Sequence, residues 1–134
     1  MADAGVTGVL NVQTEIDFEH RGINWPKMLK FYSQCGITAE HFPIHDFNEI
    51  DLKSKLYQGA CLLNKMINED QLKVYVHCTA GMGRAPAVVV VYMCIFLGYE
   101  PEDADLYVKA YRKVSTPNLR AIKEVVEKYQ EIKS

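Results

Sequence analysis

The sequence predicts an α/β fold: a mostly parallel central sheet flanked by helices. Two observations carry this. Short apolar runs of strand type, VTGVLNV and VYVH, alternate with longer stretches of helical apolar spacing, which is the pattern of βαβ units. Glycine or proline stands at most of the joins between them, where a chain must turn or a helix must start and stop. Composition agrees: 134 residues with 49% hydrophobic and 24% charged side chains suit one globular core. No repeat, linker or low-complexity tract divides the chain, so residues 1–134 are read as a single domain.

Each element has its own warrant. Val6–Val12 reads as a buried strand. Gly22-Ile23-Asn24 precedes a helix from Trp25 to Cys35, with Met28, Leu29, Phe31 and Tyr32 at helical spacing and Gly36 as its stop. His41–Ile44 (HFPI) is a short strand, and Pro43 marks it as an edge or an end. Leu52–Ile67 is a helix with Leu56, Ala60, Leu63 and Ile67 on one stripe; Val74–His77 is a strand. Ala85–Leu97 is apolar nearly all round, hence a buried helix, and Gly98 ends it. Pro101 starts a helix that runs through Lys113, and Pro117 opens a last one to about Ile132.

The totals exclude some functions. Net charge is −2, so no global basic field draws nucleic acid, and an anion site must be built locally. The longest apolar run is shorter than the ~20 residues a membrane span needs. Cys35, Cys61, Cys78 and Cys94 form no CxxC and no zinc spacing, so a reducing compartment is the expectation and no metal is called for. The N-terminus MADAGVTGVL lacks a basic leader, so a cytoplasmic setting is expected, or a plastid if a transit peptide has been removed.

The chemistry is concentrated in VYVHCTAGMGRAPAVVV, residues 74–90: strand, Gly-containing loop, helix. Sites in open α/β sheets lie at the carboxyl ends of strands, where this loop sits. Gly81 and Gly83 permit unusual φ, so the amides from Thr79 through Ala80, Gly81, Met82 and Gly83 to Arg84 can turn inward as a nest for an anion. The following helix aims its N-terminus at the same place, and Pro86 suits its first turn. Helix N-terminus and arginine together favour the thiolate of Cys78. The fork of Arg84 can hold two oxygens of one phosphate. The chemistry that follows is attack of Cys78 on phosphorus and hydrolysis of a phosphocysteine, which calls for no cofactor.

HCTAGMGR matches the HCxxGxxR loop of the cysteine-dependent phosphatases, and the length and order of nearly the whole chain resemble their dual-specificity branch. The resemblance implies the dual-specificity phosphatase fold. An alkoxide leaving group needs a proton, and the branch places an Asp for this on a loop upstream of the cysteine. In PIHDFNEIDL the preferred acid is Asp46, directly after the short strand; the alternative is Asp51, which reads as an N-cap of the helix that follows. The ring of His77 is expected to point away from phosphate and to orient the loop. Asn118, in STPN, either braces the loop or simply starts a helix. Many relatives carry Ser or Thr after the arginine; this chain has Ala85, which implies slower breakdown of the intermediate.

CTAGMGRAP further resembles the glucan phosphatases, of the laforin type and the plant starch-phosphate type, and GRAP and DFN resemble the plant type in particular. The implied substrate is a phosphorylated glucan. Sugar faces stack on aromatics, which nominates Phe47, Trp25 and Tyr111. One stretch departs: the plant type has EYWG or EYFG where this chain has EHRG, so His20 and Arg21 replace an aromatic pair. The rival substrate is a phosphoprotein, as for a dual-specificity protein phosphatase. A phosphoinositide enzyme would carry extra Lys or Arg within the loop, and Thr79–Gly83 carry none. A non-catalytic phosphate-binding module is the reading outside enzymes.

Overall fold

The computed structural model describes residues 5–45, 49–78, 83–111 and 118–133. Three strands, β1 (Gly8–Asn11), β2 (Thr38–His41) and β3 (Val74–His77), form a parallel sheet in the order β2-β1-β3. The register pairs Leu10 with Glu40 on one side and with Val76 on the other. Between β1 and β2 lie α1 (Glu15–Arg21) and α2 (Trp25–Gln34); α3 (Glu49–Asn64), extended by a π-helical turn at Lys65–Glu69, leads to β3. Helices α4 (Arg84–Phe96), α5 (Pro101–Tyr111) and α6 (Leu119–Lys133) complete the order.

Strand alternation splits the core in two. Leu10 and Val12 join the large cluster with Leu56, Met66, Val88, Val91 and Ile122, from α3, the π turn, α4 and α6. Val9 joins a small cluster with Tyr32 and Ile37, against which Trp25 and Met28 pack. Central β1 is therefore buried on both faces, as a parallel strand with helices on either side must be. Helix α4 is buried from Arg84 to Val88 and again from Val90 to Cys94, which accounts for its all-round apolar sequence.

Two elements differ from the sequence expectation. The second strand is Thr38–His41, not His41–Ile44. It is an edge strand, half exposed, so it carries no apolar run to announce it. The HFPI segment still follows β1: Phe42 N–H donates to Asn11 O (2.9 Å) and Ile44 N–H to Val12 O (3.0 Å), with Pro43, which has no N–H, between them. Helix α1 was not expected at all. Thr14 is its N-cap and Asp17 completes a capping box, while Gly22 ends it at φ +65°. The EHRG stretch is thus the end of a helix.

Candidate active site

Cys78 follows the last residue of β3 and is 1% exposed. Its Sγ accepts the backbone N–H of Ala85 at 3.4 Å. Ala85 is the second residue of α4, so the sulfur lies at that helix's N-terminus, where partial positive charge favours an anion. The helix is entered through Gly83, which as N-cap has no side chain to offer its first amides. Gly83 does not use left-handed freedom: its φ is −119°, and a Cβ there meets nothing within 4 Å among the described residues. The expectation of unusual φ fails at this glycine; Gly81, with Thr79, Ala80 and Met82, lies outside the described residues.

Arg84 is the first residue of α4 and is 4% exposed. Its Nη1 donates to Asp17 Oδ2 (2.8 Å) and to Ile44 O (2.7 Å), and its Nη2 donates to Asp17 Oδ1 (3.3 Å). Asp17 is the site residue that sequence reasoning missed. The turn that delivers it is built from buried polar groups. Gln13 N–H donates to Asn11 Oδ1 (2.7 Å), Asn11 Nδ2 donates to Gln13 Oε1 (3.1 Å), and His41 Nε2 donates to Gln13 O (2.6 Å). Thr14 then donates to Asp17 Oδ2 from its N–H (2.7 Å) and its hydroxyl (2.9 Å). Burial alone would raise the Asp17 carboxyl, but the bonds from Arg84 and Thr14 and the charge of Arg84 hold it well below the usual carboxylate range. The sequence carried one signal for this, the Thr14-x-x-Asp17 spacing of a capping box.

Of the two candidate acids, Asp46 lies outside the described residues, as does Phe47. Asp51 is not an N-cap, because α3 already begins at Glu49. From inside the first turn its Oδ2 reaches back to accept His45 N–H (2.7 Å), and its Oδ1 pairs with Lys55 Nζ (3.0 Å). Burial opposes ionisation, but the His45 and Lys55 contacts outweigh it and lower the Asp51 carboxyl from its ordinary value. A carboxylate held ionised is a poor proton donor, so the geometry disfavours Asp51 as the acid. The Ile44 carbonyl on Arg84 brings the chain just before Asp46 to the arginine.

The remaining sequence candidates separate. On β3 the alternation puts Val74 and Val76 against the large cluster and the His77 ring on the other face, beside Tyr75 with centroids 5.8 Å apart. Asn118 Oδ1 accepts Ala121 N–H (3.0 Å) and so caps the start of α6. Trp25 is half-buried in the small cluster, stacked on Phe18 (5.6 Å, 8°) and tilted against His41. It also lines a shallow depression with Glu15, Glu19 and Asn24. Tyr111 ends α5, but its side chain lies outside the described part. Among the described residues no helix is long and apolar enough to cross a membrane.

Comparison with known proteins agrees with this geometry. The family model "Dual specificity phosphatase, catalytic domain" matches residues 1–131. The chain is 35% identical over 121 residues to phosphoglucan phosphatase DSP4, amyloplastic, of Castanea sativa, covering 89% of this chain and 32% of that protein. It is 32% identical over 119 residues to laforin of Mus musculus, covering 82% of this chain and 36% of that protein. The chain therefore spans about a third of the length of these two relatives. In fold it is similar to PTPMT1 in complex with PI(5)P, with a TM-score of 0.77 at 22% identity, covering 98% of this chain and 83% of that one. A buried cysteine at a helix N-terminus, an arginine at the same turn and a family match over nearly every residue lead to one conclusion: the chain belongs to the dual specificity phosphatase catalytic-domain family and is a cysteine-dependent phosphatase domain.

Proposed function

We propose that this domain hydrolyses phosphate monoesters through a phosphocysteine at Cys78, and that its substrate is a phosphorylated glucan. The observation that carries the mechanism is the approach of Ala85 N–H to Cys78 Sγ beside buried Arg84. Phosphate docks on the loop amides of Thr79–Gly83 and on Arg84. Cys78 Sγ attacks phosphorus in line; the bond to the leaving oxygen breaks, and Asp46 gives that oxygen its proton. Asp46 then takes a proton from water, whose oxygen attacks phosphorus. The S–P bond breaks and inorganic phosphate leaves.

The glucan assignment is supported by CTAGMGRAP and by the likeness to the chestnut phosphoglucan phosphatase and to laforin. Phosphate release should be compared on phosphorylated amylopectin, on phosphopeptides and on a small aryl phosphate. Release from amylopectin is the expected result. Turnover of the aryl ester with none from glucan sinks the assignment and leaves the mechanism standing.

A second reading, dephosphorylation of phosphoproteins, is favoured by one observation. His20 and Arg21 are exposed on the last turn of α1, where the plant type has aromatics. A basic rim suits an acidic peptide better than a sugar face.

A further inference from the structure

We infer that Asp17 is a positioning residue for Arg84, fixing the direction from which its guanidinium meets phosphate. The inference rests on the cysteine-phosphatase reading and is independent of the glucan assignment.

A guanidinium is planar, with five N–H groups in fixed directions, so holding two of its nitrogens fixes the whole plane. Asp17 takes the Nη1–Nη2 end with both carboxylate oxygens, and Ile44 O receives the other Nη1 hydrogen. With that end held, the plane in which the guanidinium meets phosphate is set by Asp17. Asp17 is itself held by Thr14 N–H and Oγ1. The next residue, Phe18, is buried, stacked on Trp25 and tilted against His41, which anchors the turn. A capping box needs one carboxylate oxygen; here both face the arginine.

Two other roles for Asp17 give different results. If the pair only supports the fold, losing it changes stability and leaves kinetics alone. If Asp17 competes with phosphate for the arginine, neutralising it tightens anion binding, because more positive charge is left in the site. Positioning has the opposite sign.

The test uses the full chain with Asp17→Asn, which keeps an acceptor for Thr14 N–H, and Asp17→Glu, which keeps charge and capping box. Asp17→Ser is read by the same criteria should the amide variant not fold. The readouts are kcat and KM on a small aryl phosphate, and the inorganic phosphate concentration that protects Cys78 from iodoacetate, quantified on the Cys78 peptide by mass spectrometry. In Asp17→Asn, protection should need about tenfold more phosphate and kcat/KM should fall roughly 10- to 100-fold, while unprotected alkylation stays within about twofold. Asp17→Glu should recover part of both losses. In an Arg84→Lys background, Asp17→Asn should weaken protection by no more than about a further twofold, because its effect passes through the arginine. Unchanged protection and kcat/KM with only a lower melting temperature overturns the inference. So does tighter protection by phosphate.

Discussion

The backbone N–H of Ala85 points at Cys78 Sγ across 3.4 Å, so the residue after the arginine supports the sulfur through its amide alone. Its methyl has no proton to offer. Adding a hydroxyl with Ala85→Ser should stabilise the leaving thiolate as phosphocysteine breaks down. The expected result is a smaller pre-steady-state burst and a kcat raised by roughly three- to tenfold on an aryl phosphate, with a shifted pH–rate profile. Identical burst and profile in both proteins would refute it.

Cys78→Ser should lower turnover by at least about a thousandfold, since the hydroxyl is a far weaker nucleophile at neutral pH. Phosphate or intact substrate should still bind, measurable by calorimetry. A wild type that binds phosphorylated ligands and is as inert as the variant would turn the domain into a phosphate reader.

The two acidic candidates should part company on mutation. Asp46→Asn should cost about 10²- to 10⁴-fold on alkyl phosphates and much less on an aryl ester with a good leaving group. Asp51→Asn keeps an acceptor for His45 N–H but loses the charge that pairs with Lys55, and should lower stability by no more than about 1 kcal/mol, with activity within severalfold of wild type. The reverse pattern would assign the proton to Asp51.

Asp17 also predicts an acid limb of stability. Its carboxyl titrates lower in the folded chain than the ordinary value of 3.8, so the unfolded chain binds the proton first. The stabilisation is complete well above pH 3.8 and declines as pH falls through and below that value towards the lowered one. Chemical denaturation between pH 6 and pH 2.5 should show a shallower loss in Asp17→Asn than in wild type. Parallel curves would remove Asp17 from the acid response.

Thiol labelling should discriminate among the cysteines. Burial, with Glu100 and Glu102 adding to it, pushes the Cys94 thiol up to about 11, whereas Cys35 is exposed. At neutral pH iodoacetamide should modify Cys35 and leave Cys94 intact in the native protein. Rapid native labelling of Cys94 would contradict its place in α4.

The parts of the fold that were legible in the sequence are those with local signals. VYVH, followed by a cysteine and the start of a long apolar helix, announces β3 and α4 by itself. Gly36 and Gly98 mark the ends of α2 and α4, and Pro101 the start of α5, through their own backbone constraints. β2 was misplaced by three residues because an edge strand of Thr-Ala-Glu-His needs no apolar run, while the neighbouring HFPI has one. Helix α1 was missed because it is short and its cap uses Asp where Glu or Gln is the commoner third residue. Cys78 and Arg84 were readable since they sit in one turn of chain. Asp17 was not, because its partner is 67 residues away and only the folded sheet brings them together.

Arg84 thus gathers its ties from residues 67 and 40 positions earlier in the chain. Such separations make the clamp a late product of folding, since two long loops must close before it exists. No fragment confined to residues 74–97 contains it. On the proposed function, phosphate that binds only the assembled clamp should act as a fastener for the whole chain: by mass action it should lift the melting temperature of elements that it never touches.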